Sequence, residues 1–292
     1  MSITSVFKNS WEITKTTFHV MKEDKELILY PILAATFSVM FVVALLFPTI
    51  IIGFLTKAVT PVFGFLQYLL IFIAYLGLAF IATFFNVCVV YTAKKRFAGG
   101  DAKFWETLKF ALSKIHLIFM WSLLAATVGI LLKVLESMAR NAKGIGKIFL
   151  MIIRGVLGIT WSIVTIFVVP AMVYDDLTPF NAIKKSVQVL RKTWGESLVR
   201  HFGLGMAQSL VIGVVLIPTA VIIFISFFLG AFVTAIVLIV LLVLYIIIVG
   251  MIFTIANSIF NTALYEYANS GKIPMGYTKD MLSNAFTSKK AI

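Results

Sequence analysis

The chain has 292 residues, of which 61% are hydrophobic and 13% are charged, and its formal net charge is +13. An average soluble domain is roughly half apolar and about a quarter charged, so this composition excludes an ordinary soluble protein and indicates a membrane protein. The single cysteine, Cys88, lies inside an apolar run, which excludes a disulfide framework and a thiolate metal cluster.

The positive charge does not indicate a nucleic-acid partner. The basic residues are spread over segments that flank apolar runs, and no soluble module remains to bind nucleic acid. Anionic lipid headgroups are the nearer partners for cations in these places. We expect no secretory signal peptide, because the first residues include Glu12 and lack a short apolar core before a cleavage site.

Six apolar runs follow one another along the chain. A helix needs about 20 residues to cross the ~30 Å hydrocarbon layer, and each run is close to that length or longer. Pro31 and Pro48 are expected to kink the first run or to mark its boundary. The runs cover residues 27–55, 62–92, 115–132, 148–174, about 201–229 and about 231–265.

Three basic, amphipathic segments precede successive pairs of runs. The clearest lies between residues 175 and 200, where apolar side chains step by three or four residues and form one stripe of a helix. Such a helix is expected to lie in the bilayer surface with its cations toward phosphates. The candidate headgroup contacts are Lys184, Lys185, Arg191, Lys192, Trp194, Lys109, Lys8 and Lys15.

The three segments resemble one another in sequence. Phe7–Ser10 matches Ile183–Ser186 and, more weakly, Leu108–Ala111, while Phe85-Asn86 and Phe260-Asn261 end corresponding runs. We predict an all-α polytopic membrane protein of six transmembrane helices in three hairpins, each preceded by a cytoplasmic amphipathic helix, with a pseudo-threefold repeat. Shared physics of interfacial helices is the alternative explanation of the likeness. The predicted plan is one membrane domain, 1–292, with repeats 1–100, 101–176 and 177–267 and a cytoplasmic tail, 268–292.

The basic residues also predict an orientation. Nineteen of the 25 Lys and Arg residues fall on the side of the amphipathic segments and 6 on the other side, so both termini are expected in the cytoplasm. The polar stretch 133–147 is predicted to be a loop on the outer side, although it holds four of those six cations.

Polar residues within the runs are candidate functional residues, because lipid disfavours them. We interpret Asn86, Asn261, Gln67 and Gln208 as interhelical hydrogen-bonding groups, with substrate contact as the alternative. Arg154 is interpreted as reaching the outer headgroups, with anion binding as the alternative.

The other ionisable groups give no catalytic pattern. Asp175 and Asp176 are interpreted as a charge pair at the start of the following helix, because side chains of sequence neighbours diverge. His19, His116 and His201 lack metal-ligand spacing, and no nucleophile or phosphate-binding motif occurs in its required context. We therefore expect no enzyme activity, no metal and no cofactor.

The segment from Val168 to Glu196 resembles a prokaryotic family of six-helix membrane proteins of unknown function. It is more distantly similar to the membrane region of some glycerophosphodiester phosphodiesterases, whose catalytic domain is absent here. The resemblance implies a fold and a membrane location but no activity. In place of the family's single Glu after the fourth helix stands Asp175-Asp176. The matching positions are Pro170, Val173, Pro179, Ala182, Lys184, Ser186, Trp194 and Gly195, together with Phe85-Asn86.

These observations favour a non-enzymatic protein of the prokaryotic cell membrane that acts as a scaffold, a partner subunit or a lipid-organising protein. Its expected partners are anionic lipids and a protein partner or a second copy of the chain. The alternatives are a transporter or channel for a small or amphipathic solute, which the repeat and the prolines favour, and an enzyme acting on lipid headgroups.

Overall fold

A computed structural model describes residues 3–56, 64–194, 203–283 and 285, with side chains described in 11–48, 69–194, 207–283 and 285. The described part of the chain is helical, and no strand occurs in it. Its helices are α1 (Ile3–Glu23), α2 (Glu26–Thr56), α3 (Gly64–Phe97), α4 (Phe104–Ser113), α5 (Ile115–Asn141), α6 (Gly144–Val164), α7 (Val168–Asp175), α8 (Pro179–Trp194), α9 (Gly203–Phe228), α10 (Phe232–Ser270) and α11 (Lys279–Ser283).

Six stretches of the described chain are long and apolar enough to cross a membrane, which confirms the predicted number of spans. The last one is α10, whose 39 residues would extend about 58 Å at the helical rise. It is therefore longer than the hydrocarbon layer is thick. The stretches are Glu26–Pro48, Leu69–Phe97, Ile115–Asn141, Gly144–Asp175, Ala207–Phe228 and Phe232–Ser270.

One prediction about a helix end was wrong. The stretch 133–147, expected to be a loop, is helical as far as Asn141, and α6 begins at Gly144. All its charged side chains except that of Lys143 therefore project from helices. For Pro31 and Pro48 the structure excludes the boundary alternative, because α2 continues through both, and the expected kink stays a prediction.

The fourth span contains a break between α6 and α7. Residues 165–167 form a turn one helical turn before Pro170. Proline has no N–H to donate to the carbonyl four residues earlier and its ring crowds that carbonyl, which favours a break at this point. Side-chain oxygens bond to backbone groups at the break: Thr165 Oγ1 donates to Trp161 O at 2.7 Å, and Phe167 N donates to Ser186 Oγ of α8 at 3.2 Å.

The chain divides into two compact units. The first comprises the described parts of Met1–Ile28, Arg96–Gly100 and Val189–Ile292. Within it α1 packs against α9 and α10, which also pack against each other. Phe18 meets Phe253 edge to face at 5.7 Å between ring centroids. Ala207 and Val249 join Phe253 in a buried cluster.

The second unit comprises the described parts of Leu29–Lys95 and Asp101–Gln188. In it α5 packs along α6, and Trp121 stacks on Trp161 with 5.8 Å between ring centroids. Helices α2 and α3 approach closely at Gly77, where an added Cβ would overlap the ring of Phe41. The two units cut across the three predicted repeats, so the repeat boundaries stay a prediction.

Burial is concentrated toward one end of the long helices. In α10 the buried side chains cluster between Phe253 and Tyr265, and in α3 they cluster between Thr83 and Ala93. The first half of α10, from Phe232 to Ile248, is mostly exposed and almost entirely apolar. Leaving so many large apolar side chains in water would cost about 25 cal/mol for each Å² of apolar area. These surfaces require an apolar surrounding, which lipid supplies.

Candidate membrane interface and its polar contacts

Helix α8 turns one face to the protein and another outward. Its buried face is made of small and aliphatic residues, including Ala182, Ser186 and Leu190. Phe180, in the first turn of the helix, is 62% exposed. Lys184, Arg191 and Lys192 are exposed as well. The helix therefore presents an aromatic ring and several cations on its outer surface.

Helices α1 and α4 expose the same kind of residues. Trp11 is 51% exposed and Trp105 is 72% exposed, and Lys15 and Lys109 are exposed too. On all three helices the exposed aromatic residue lies four positions before an exposed lysine: Trp11 and Lys15, Trp105 and Lys109, Phe180 and Lys184. Residues at this spacing are neighbours on one helix face. The sequence analysis identified the lysines but not these pairs, because it assigned the aromatic residues to the apolar stripe of a helix and the lysines to the opposite face.

Trp194 lies elsewhere than expected. It was predicted to contact headgroups, but its side chain is buried and its Nε1 donates to Leu282 O at 3.1 Å. Leu282 belongs to the segment predicted as a cytoplasmic tail, and its side chain is fully buried in the first unit. Tyr277 of the same segment is buried, and its hydroxyl lies 2.9 Å from Thr17 Oγ1.

Lysines converge on the C-terminal end of α7. Lys94 Nζ donates to Val173 O at 3.2 Å and lies 4.5 Å from the centroid of the Tyr174 ring. Cations at this position also complement the negative end of the α7 dipole. Lys114 pairs with Asp176 at 2.6 Å and Lys185 with Asp175 at 3.6 Å.

These ion pairs give the two aspartates a role that differs from the predicted one. Asp175 is the last residue of α7, and Asp176 follows it in the left-handed region, with φ 52°. Helix α8 begins later, at Pro179. Asp175 thus connects the end of α7 to Lys185 of α8, and Asp176 connects it to Lys114, the residue between α4 and α5. Lys185 is engaged in this contact, whereas Lys184 beside it is exposed.

A third contact joins α3 to α4. Glu106 accepts hydrogen bonds from Lys95 and, at 2.8 Å, from the Tyr91 hydroxyl. Tyr91 also stacks on Phe110, with 4.1 Å between the ring centroids. The Lys95 hydrogen bond, followed by that from Tyr91, lowers the pKa of Glu106 below its ordinary value.

This lowered pKa predicts a pH dependence of stability. A carboxyl whose folded-state pKa is depressed stabilises the fold above its ordinary pKa of about 4.3, and the contribution disappears as the pH falls through the folded-state value. We expect Glu106→Gln to lower the melting temperature in mild detergent at pH 7, and we expect this deficit to shrink as the pH falls below about 4.3. Glu12→Gln, on an exposed side chain of α1, is the control. A Glu106→Gln deficit that stayed constant from pH 7 to pH 3.5 would contradict this assignment.

Arg154 has a partner on the neighbouring helix. Its Nη2 donates to Glu136 Oε2 at 3.3 Å, and Arg140 pairs with the other oxygen of the same carboxylate. Arg154 was expected to reach the headgroups, and the sequence did not predict this ion pair, which links α5 to α6. The pair could not be predicted while residues 133–147 were expected to be a loop, because Glu136 faces Arg154 only when α5 continues to Asn141.

The predicted intramembrane amides are distributed over both units. Asn86 lies in the second unit, and Asn261 and Gln208 lie in the first, all half-buried. The side chains of Gln67 and Lys8 lie outside the described part of the chain. The interhelical role of these amides stays a prediction.

The fold and these surfaces define a class: a helical, multi-pass membrane protein with six candidate spans. The particular family follows from the sequence match. The chain belongs to the family of unknown function DUF6159, which it matches over residues 65–275. No curated protein matches the chain. The family carries no assigned activity.

Proposed function

We propose that this protein is a non-enzymatic component of the prokaryotic cytoplasmic membrane that organises anionic lipid or supports a partner protein there. Its six spans form three hairpins, and α1, α4 and α8 lie in the cytoplasmic surface before each of them, with both termini in the cytoplasm. The observation that carries the proposal is the exposed aromatic residue followed four positions later by an exposed lysine on all three helices.

The physical reason is the structure of the bilayer interface. An aromatic ring is most favourable at the level of the headgroups, and a lysine on the same helix face extends its ammonium group toward phosphate. The opposite faces of these helices are occupied by protein, as with Thr107 and Ala111 of α4. A helix held by the protein on one side and by lipid on the other gives the membrane a fixed, positively charged surface.

The same register supports a repeat. Lys109 and Lys184 are aligned residues of the similar segments, so Trp105 and Phe180 are aligned as well. In α1 the register differs: Lys8 is the residue aligned with Lys109 and Lys184, and Lys15 lies seven residues after it, which is about two helical turns and therefore the same face. The distant likeness to the membrane region of glycerophosphodiester phosphodiesterases stays a prediction, and it agrees with a role in lipid.

Tryptophan fluorescence tests the placement of these helices. Single-tryptophan variants that retain Trp105 or Trp11, with the other tryptophans changed to Phe, are reconstituted in vesicles that contain brominated phospholipid. We expect bromines near the headgroups to quench both residues more strongly than bromines deep in the acyl chains. The variant retaining the buried Trp194 is the matched control and should be quenched weakly. Equal quenching of Trp105 and Trp194 would disprove the interfacial placement.

The activity itself is tested on the purified full chain. In mild detergent we expect retained anionic phospholipid or a co-purifying protein, detected by native mass spectrometry. If the protein alone turned over phospholipid headgroups, and this activity were lost in Asp175→Asn but not in Asp101→Asn, the protein would be an enzyme and this proposal would be wrong.

A second candidate, a transporter or channel for a small amphipathic solute, is favoured by the break between α6 and α7, since broken helices often form transport sites. Against it, the turn offers no backbone group of Phe167 to a solute, because Phe167 is fully buried and its N–H donates to Ser186 Oγ. Solute flux in proteoliposomes that is lost on changing Asn86, Asn261 and Gln208 to Leu would favour transport.

A further inference from the structure

The strongest unassigned charge cluster lies where α5 meets α6. Between residues 133 and 154 the chain carries five cations and one carboxylate, a net charge of +4. Glu136 is shared between Arg140 and Arg154, so one carboxylate neutralises only one of the two guanidinium groups. The other three cations, Lys133, Lys143 and Lys147, are exposed.

Helix geometry places four of the five cations on two helix faces, one on α5 and one on α6, and two of them line a pocket between the helices. Lys133, Glu136 and Arg140 are spaced by three and four residues on α5, and Lys147, Met151 and Arg154 are spaced by four and three on α6, so each set lies on one helix face. A pocket of about 290 Å³ opens between the two helices. Its lining consists of Glu136, Ala139, Arg140, Met151 and Arg154.

The arginines retain binding capacity. A guanidinium has five N–H donors in a planar fork, and the contact of each arginine with Glu136 engages Nη2. The side chains of Arg140 and Arg154 are 68% and 49% exposed. Such groups bind phosphate through two parallel hydrogen bonds.

The surroundings of the pocket are apolar. Beside the cations, large hydrocarbon side chains are exposed on both helices, with Met138 52%, Ile148 61% and Ile152 58% exposed. A free phosphate ion would gain nothing from them. A phospholipid would use both features, with its phosphate against the guanidinium groups and its acyl chains along the apolar surface.

We propose that the α5–α6 pocket binds the phosphate of one anionic phospholipid, at the membrane face opposite to α4 and α8. The proposal depends on the membrane placement given under Proposed function. It also explains how four cations are tolerated in a segment that the charge rule places on the outer side, because an anionic lipid offsets them.

The test is a titration of the full-length protein in mild detergent with phosphatidylglycerol, followed by native mass spectrometry. We expect Arg154→Gln to weaken the tightest binding event by about fivefold, as one interfacial charge does, and Lys272→Gln, which removes an exposed cation elsewhere, to leave it unchanged. Glu136→Gln removes the internal competitor and should strengthen binding by a similar factor, a gain that misfolding does not produce.

Three outcomes would overturn the proposal: equal effects of Arg154→Gln and Lys272→Gln, weaker binding in Glu136→Gln, or displacement of the lipid by millimolar inorganic phosphate, which would indicate a site for a free anion. The quenching of Trp105 is measured independently. If that quenching is as expected and the titration fails, only the pocket assignment is lost. If Trp105 is not quenched by lipid, the membrane placement is lost as well.

Discussion

Changing Tyr277 to Ala is expected to produce the largest loss of stability in the first unit, about 3–5 kcal/mol in the free energy of unfolding, the usual cost of removing a buried aromatic ring. Its ring meets Phe97 edge to face at 6.0 Å and lies 6.1 Å from the ring of Phe260. The ring therefore holds the segment after α10 in place. Burial also raises the pKa of Tyr277 far above its usual value, so the hydroxyl bonded to Thr17 stays protonated.

The measurement is denaturant unfolding in mild detergent combined with limited trypsin digestion. We expect Tyr277→Ala to expose Lys279 to trypsin at temperatures at which the original protein resists. Tyr277→Phe keeps the ring, and Thr17 Oγ1 still donates to Ile13 O, so the expected loss is about 1 kcal/mol. If Tyr277→Ala and Tyr277→Phe were digested at the same rate, the ring would not be the element that holds this segment.

Tyr30→Ala should have an effect of similar size, about 3–5 kcal/mol, in the second unit. Tyr30 is fully buried, its ring stacks on Phe104 at 5.9 Å, and its hydroxyl accepts a hydrogen bond from Thr92 at 3.5 Å. It thereby joins α2 to α3 and α4. Loss of the ring should release α4, the helix that carries Trp105 and Lys109.

The readout is the unfolding transition together with the Trp105 quenching described above, which should become weaker in Tyr30→Ala. Tyr75→Ala is the control on a ring that is 37% exposed, and its expected effect is well below that of Tyr30→Ala because less area is uncovered. An equal loss for the two variants would show that the contact of Tyr30 with Phe104 and Thr92 has no special importance.

Much of the fold follows from local sequence. Six spans could be counted because a chain in lipid must satisfy its backbone hydrogen bonds internally, so a long apolar run has to be a helix. The exposed lysines of α4 and α8 could be found for a similar reason, since cations beside apolar stripes recur at the helical period. The end of α5 was missed because the helix was expected to end with the apolar run, although residues 133–141 are rich in helix formers and place Glu136 four residues before Arg140.

The candidate site was predicted less completely than the fold. Lys184 and Lys109 are exposed, as the interface prediction requires. Trp194 was predicted to lie at the same interface but is buried. A boundary tryptophan that faces lipid and one that packs against protein have the same sequence environment. The difference is made by Leu282, 88 residues further along the chain.

By itself the sequence determined that the described part of the chain is helical, that six stretches of it can cross a membrane and that positive charge is in excess at their ends, because these properties depend on composition and on periods of a few residues. The tertiary structure alone decided that Glu136 lies between Arg140 and Arg154, that Lys185 pairs with Asp175, and that Tyr277 packs on Thr17, 260 residues away. Contacts between distant residues depend on which helix faces meet, and the spacing of residues within a single helix does not encode that choice.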